Sequence, residues 1–137
     1  MRTARTPASE TDVDAFYAGH PFARTVHDRV AAMIGSIGPA EVRVSRSQVA
    51  FTRRRGFAYL WIPGQYLVKP AADVVLSIAL PEQLPSERWK EVVHPSPRTW
   101  MHHLEVRSIE DIDEEVAGWL GVAFEAAGRA PGAAGTG

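Results

Sequence analysis

The sequence contains no cysteine in its 137 residues. This absence excludes disulfide cross-links, catalysis by a thiol and every zinc site with sulfur ligands. The chain also lacks an excess of charge of either sign, because 15 Lys and Arg residues face 16 Asp and Glu residues, leaving a formal net charge of −1. We therefore expect no general attraction to nucleic acid, which is typical of basic domains.

Long hydrophobic runs are missing as well. No apolar stretch approaches the roughly 20 residues that span a bilayer, and the first residues lack the apolar centre of a signal peptide. Hydrophobic residues make up 45% and charged residues 23% of the chain, which is typical of a globular protein. These values predict a soluble, cytoplasmic protein that makes no contact with a membrane.

The two ends of the chain predict disordered tails. Residues 1–10 are mostly polar, and residues 128–137 are mostly Gly, Ala and Pro, so neither segment buries enough apolar surface to offset its ordering entropy. The remaining residues, 11–127, are the size of one domain. We expect this segment to fold around a single core.

Helical periodicity marks both ends of that domain. A cap-like Thr11 begins a short helical turn, and an amphipathic pattern follows over residues 21–35. Ser108 is expected to cap the last helix. The apolar stripe of that helix consists of Ile109, Ile112, Val116, Trp119, Leu120, Ala123 and Ala127.

Between the helices the period changes to two, which is typical of strands. Five strands are predicted, at residues 42–45, 48–52, 57–62, 73–80 and 99–107. Consecutive strands with helices at both ends indicate an α+β fold. We expect two layers, with a largely antiparallel five-stranded sheet flanked by N-terminal and C-terminal helices.

Two neighbouring histidines are predicted to face opposite sides of the fifth strand. His102 shares its side with apolar residues, so we interpret it as a packed core histidine. His103 and Glu105 share the other side and, with His94, offer three metal ligands. An ordinary solvated strand face is the favoured interpretation, so we expect no metal and no cofactor.

The densest charge run is Arg53, Arg54 and Arg55. Near the aromatic residues Tyr59, Trp61 and Tyr66 it could form a nucleic-acid face, or it could be a charged hairpin tip. The balanced net charge favours the hairpin tip. The same aromatic hairpin could instead be a contact surface for a partner protein or a homodimer.

Candidate binding residues gather in and near a proline-bounded loop over residues 88–100. The hypothesis is a pocket for a small, anionic molecule, formed where this loop folds over the sheet. Its residues are His94, His103, Arg53, Arg88 and Trp100. A cofactor-independent enzyme using His94 or His103 as general acid or base is the alternative, and no other catalytic residue is predicted. A loop that only covers the sheet edge is a third interpretation.

Three blocks carry a family resemblance: VRVSRSQVAFTRRRGFAYLWIP, VVLSIALP and RWKEVVHPSPRTWMHHLEVRSIEDIDEEVAGWL. In this order they resemble the bacterial domain of unknown function 5655, over residues 12–127, and are also similar to the domain of unknown function 1801. The resemblance implies a compact α+β domain. It implies no activity and no site residue.

Overall fold

A computed structural model describes residues 8–63 and 72–129. Three α-helices, six β-strands and one 3-10 turn follow one another in these residues. In chain order they are α1 (Glu10–Phe16), α2 (Pro21–Ile37), β1 (Glu41–Val44), β2 (Val49–Thr52), β3 (Gly56–Trp61), β4 (Val74–Leu80), β5 (Glu91–Ser96), β6 (Thr99–Val106), the 3-10 turn Ile109–Asp111 and α3 (Glu114–Ala127).

The strands form one sheet in the order β1-β2-β3-β4-β6-β5, and every neighbouring pair is antiparallel. Helix α3 packs on β3 and β4, and α2 packs on α3. The core lies between these helices and one face of the sheet, where residues such as Phe51, Leu60, Leu76 and Leu120 are buried. The predicted α+β fold with an antiparallel sheet and helices at both ends is therefore confirmed.

The prediction of five strands is wrong, because β5 is a sixth. Pro95 and Pro97 predict a loop over residues 88–100. In the structure β5 pairs only with β6 and forms one edge of the sheet. An edge strand tolerates proline, since the missing N–H can fall on the side without a neighbouring strand. The supposed loop is thus the first arm of a hairpin.

The first helix begins earlier than Thr11. Ser9 is its cap: the Ser9 side chain accepts a hydrogen bond from the backbone of Asp12, whose carboxylate accepts one from the Ser9 backbone. This reciprocal pair satisfies two backbone donors that a helix start leaves free. Gly19 then turns the chain into α2. Its φ of 82° is a backbone conformation that residues with a side chain rarely adopt.

Two successive caps divide the segment for which the apolar stripe predicts one last helix. Ser108 caps the 3-10 turn, and Asp113 caps α3 by accepting a hydrogen bond from the Val116 N–H, so the prediction that Ser108 caps the last helix is wrong. The predicted stripe is buried from Val116 to Ala127. No helix of the described residues is long and apolar enough to cross a membrane. The predicted tails lie, over residues 1–7 and 130–137, outside the described residues.

Candidate functional site

The face of the sheet opposite the helices carries a row of side chains, one from each strand. The strand register aligns them directly across the sheet. In the sheet order β1-β2-β3-β4-β6-β5 they are Arg43, Ala50, Tyr59, Ser77, His103 and Glu91. Residues opposite each other in an antiparallel pair point to the same face and touch. We call this side of the sheet the open face.

A groove of about 690 Å³ lies on the open face. Its lining residues come from the β1–β2 turn and from β3, β4 and β6, and they are Ser47, Gln48, Tyr59, Trp61, Ser77, Met101 and His103. This volume falls within the range of about 300–1,000 Å³ that small-molecule sites occupy. Among the described residues, no Lys, Arg, Asp or Glu lines the groove. The groove is thus walled by aromatic and apolar groups with a few uncharged polar ones.

Three of these side chains are connected by hydrogen bonds. The Trp61 Nε1–H donates to Ser77 Oγ at 3.1 Å, and Ser77 Oγ lies 2.6 Å from His103 Nδ1. Ser77 is only 3% exposed, so its hydroxyl is held between the indole and the imidazole. The Trp61 ring also meets the edge of the His103 ring, with centroids 6.5 Å apart.

Burial lowers the pKa of His103 below its ordinary value of 6.5, while the Glu91 carboxylate opposite it raises the pKa by a smaller amount. The imidazole is therefore neutral at pH 7. Burial also raises the pKa of the Tyr59 hydroxyl. At neutral pH the lining residues that the structure describes offer neutral donors and acceptors rather than charges.

The structure does not bring His94 and His103 together. His94 stacks on Trp100, with ring centroids 3.6 Å apart and planes 8° apart. Trp100 shares its side of β6 with buried His102, because strand side chains alternate. His94 and Trp100 therefore lie on the helix side of the sheet, whereas His103 lies on the open face. The convergence that the pocket hypothesis required is absent from the described residues, and the binding roles of His94 and Trp100 stay predictions.

Arg88 is engaged at the start of α3. Its guanidinium donates to the Asp113 carboxylate at 3.1 Å and to Glu115 at 2.8 Å, and lies over the Trp119 ring at 5.4 Å. It also donates to the carbonyl of Asp111 at 2.7 Å. These contacts connect the β4–β5 segment to α3, and Arg88 is not among the described residues that line the groove.

Arg53 is engaged at the other end of α3. It donates to the carbonyl of Phe124 at 3.1 Å, and its guanidinium lies 4.1 Å from the centre of the Phe124 ring. Arg55 donates to the carbonyl of Ala126 at 2.7 Å. Carbonyls at a helix end have no partner within the helix and carry partial negative charge, which arginines satisfy. From the turn between β2 and β3, Arg53 and Arg55 thus cap the C-terminal end of α3.

His102 has the environment of a core histidine, as predicted. It is 0% exposed, its Nδ1–H donates to the carbonyl of Trp100 at 2.9 Å, and its Nε2 accepts from the Leu84 N–H at 3.0 Å. The Trp89 ring packs against it at 4.8 Å. Both ring nitrogens are occupied, so His102 fixes the β4–β5 segment to the sheet and has no atom left for a ligand.

No group of three His, Cys, Asp or Glu residues that could hold a metal ion occurs in the described part of the chain. His94 lies on the helix side of the sheet, while His103 and Glu105 share the open face. Glu105 is held by Arg107 at 2.7 Å and Lys90 at 3.5 Å. The three suggested ligands are therefore not assembled around one point.

Tyr59 and Trp61, which one hypothesis from the sequence places on an aromatic contact surface, both line the groove. Tyr66, grouped with them, lies outside the described residues. Ser77 was not predicted as a site residue, although the sequence contains a feature that indicates it. It is the one hydroxyl in the apolar run VVLSIAL, and a buried hydroxyl needs a hydrogen-bond partner.

Over residues 8–63 and 72–129, the fold and the groove together define an α+β domain with one helix-covered sheet face and one face that no described helix covers. The chain belongs to the family Domain of unknown function (DUF5655), whose model matches residues 13–127. No curated protein and no solved structure matches the chain. The family match covers nearly all of the described residues and carries no activity with it.

Proposed function

We propose that the open-face groove binds a small, uncharged aromatic molecule. The observation that carries the proposal is the groove itself: about 690 Å³, walled by Tyr59, Trp61 and Met101, with the Ser77–His103 pair between the walls. Ligand sites are typically apolar clefts with a few placed polar groups. Flat aromatic walls favour an aromatic ligand, because offset-stacked and edge-to-face ring contacts add to apolar burial.

The sequence favoured an anionic ligand because of Arg53 and Arg88. Both guanidiniums are bound to α3, and no described cation lines the groove. His103 is neutral at pH 7, so it offers an anion no full charge. These contacts support an uncharged ligand instead.

A thermal-shift screen with a library of neutral aromatic fragments tests the proposal. A fragment at a hundred times its dissociation constant stabilises a protein by about 2.7 kcal/mol, which raises the Tm of a domain of this size by roughly 10 °C. Met101→Lys places a long charged chain in the groove and should abolish the shift.

Val122→Lys is the matched control. Val122 lies on α3, on the helix-covered side of the sheet, is 51% exposed and does not line the groove, so this variant should respond like the unchanged protein. His94→Ala, on the other side of the sheet, should also respond fully. A library without a single binder, or binders that Met101→Lys retains, would contradict the proposal.

A further inference from the structure

The hydrogen-bond chain on the open face determines which nitrogen of His103 carries its proton. An indole N–H can only donate, so Ser77 Oγ accepts from Trp61. The Ser77 hydroxyl proton then needs an acceptor of its own. The acceptor that the described residues offer within hydrogen-bond distance is His103 Nδ1, at 2.6 Å.

A nitrogen that accepts a hydrogen bond carries no proton, and a neutral imidazole has one proton for its two nitrogens. The proton of His103 is therefore on Nε2. The reverse arrangement, with Nδ1–H donating to Ser77, would leave the hydroxyl proton of a nearly buried serine without an acceptor, which is costly. The described residues give His103 Nε2 no hydrogen bond of its own.

We infer that His103 Nε2–H is the specificity-determining donor of the groove, which therefore selects aromatic ligands that carry a neutral acceptor such as a carbonyl oxygen. This inference rests on the proposed function and names the ligand class of the same site. Ser77 is a positioning residue, since it acts by holding the imidazole. Trp61 in turn orients the Ser77 hydroxyl by occupying one of its lone pairs.

The adjacent histidine provides an internal reference. His102 donates from Nδ1 to a carbonyl and accepts at Nε2, so it is the opposite tautomer. ¹⁵N NMR of the imidazole rings in the ligand-free protein at pH 8 should show a protonated Nε2 for His103 and a protonated Nδ1 for His102. Ser77→Ala should give a mixed tautomer at His103 and leave His102 unchanged. A protonated Nδ1 at His103 in the unchanged protein overturns the inference, whatever the groove binds.

Selectivity is measured with two probes of nearly equal shape, acetophenone, which has a carbonyl acceptor, and ethylbenzene, which has none. Titrations followed by backbone amide shifts should show that acetophenone binds more tightly by about threefold to tenfold, the value of one hydrogen bond. His103→Phe should reduce this preference to less than about twofold. His103→Gln, whose amide keeps a donor, should restore part of it.

The outcomes separate the two claims. Equal binding of both probes to the unchanged protein overturns the selectivity and leaves the proposed function standing. If neither probe nor any fragment binds, the proposed function is wrong, and the selectivity is wrong with it, whichever tautomer NMR finds. A preference that persists in His103→Phe assigns the donor to another residue and also overturns the inference.

Discussion

His102 and His103 are neighbours in the chain, yet they lie on different faces of the sheet and differ in the hydrogen bonds that they form. Both nitrogens of His102 are bonded within the core, on the face that the helices cover. His103 has one nitrogen bonded to Ser77 and lines the groove on the open face. The difference shows that a histidine is available for a ligand only where the fold leaves one of its nitrogens unused.

The largest expected effect is on the covered face. Trp119 is 8% exposed, and its ring packs on Trp89 with centroids 4.2 Å apart. Trp119→Ala should lower the free energy of unfolding by about 3–5 kcal/mol, because it removes a large buried ring and leaves a cavity. Urea unfolding measures this loss. Val122→Ala, at a position of α3 that is 51% exposed, is the control and should change stability by less than about 0.5 kcal/mol. A loss below about 1 kcal/mol for Trp119→Ala would contradict the packing described.

The two histidines should differ in what they contribute to stability. His102→Ala removes the acceptor for the Leu84 N–H and the donor to the Trp100 carbonyl in a buried site, and should cost about 3 kcal/mol. His103→Ala leaves one group, the Ser77 hydroxyl, without its acceptor, whereas His102→Ala leaves two, and it should cost about 1–2 kcal/mol. Chemical denaturation of both variants at pH 7.5 measures the difference. Equal losses would break the contrast between the two faces.

Acid should destabilise the protein through its buried histidines. Burial lowers the pKa of His27, His102 and His103 below 6.5 in the folded state. The unfolded chain therefore takes up protons first as the pH falls. Stability should be fully present above about pH 7 and decline from about pH 6.5 downward, by at most about 1.4 kcal/mol per pH unit for each group.

Urea unfolding between pH 7.5 and pH 5 tests this expectation. The carboxylates with shifted pKa do not interfere, since the pKa values of Glu110 and Asp113 are lowered from 4.5 and 3.8. His102→Gln should give a flatter pH profile, because it removes one of the three groups. A stability that is constant or rises towards pH 5 would show that these histidines are not held neutral.

The smallest expected effect concerns the arginine run. Arg53→Ala removes a hydrogen bond to the carbonyl of Phe124 and the contact with its ring, and should cost about 1 kcal/mol. Arg54, the next residue in the run, is the matched control. It is exposed, and its backbone N–H, which alanine keeps, donates to the carbonyl of Ala127. Thermal unfolding should show a lower Tm for Arg53→Ala and little change for Arg54→Ala. The same Tm for both variants would argue against a capping role.

Part of the site could be read from the sequence. The alternation around His102 and His103 predicted one core histidine and one histidine on the opposite face. Strand alternation could not be applied to His94, because residues 88–100 were treated as a loop. The hypothesis of a pocket between His94 and His103 was therefore not checked against the faces of the sheet. Once β5 pairs with β6, the side on which His94 lies is set by that pairing and by its stacking on Trp100.

The sequence by itself determined most of the local properties: five of the six strands, the helices at both ends, the face to which a strand residue points, and Ser108 as a capping residue. These follow from side-chain period and short-range hydrogen bonds, which involve residues only a few positions apart. Only the tertiary structure decided which residues meet across strands. Ser77 and His103 are 26 positions apart, and they form a pair because the register of β4 on β6 is set by packing over the whole core.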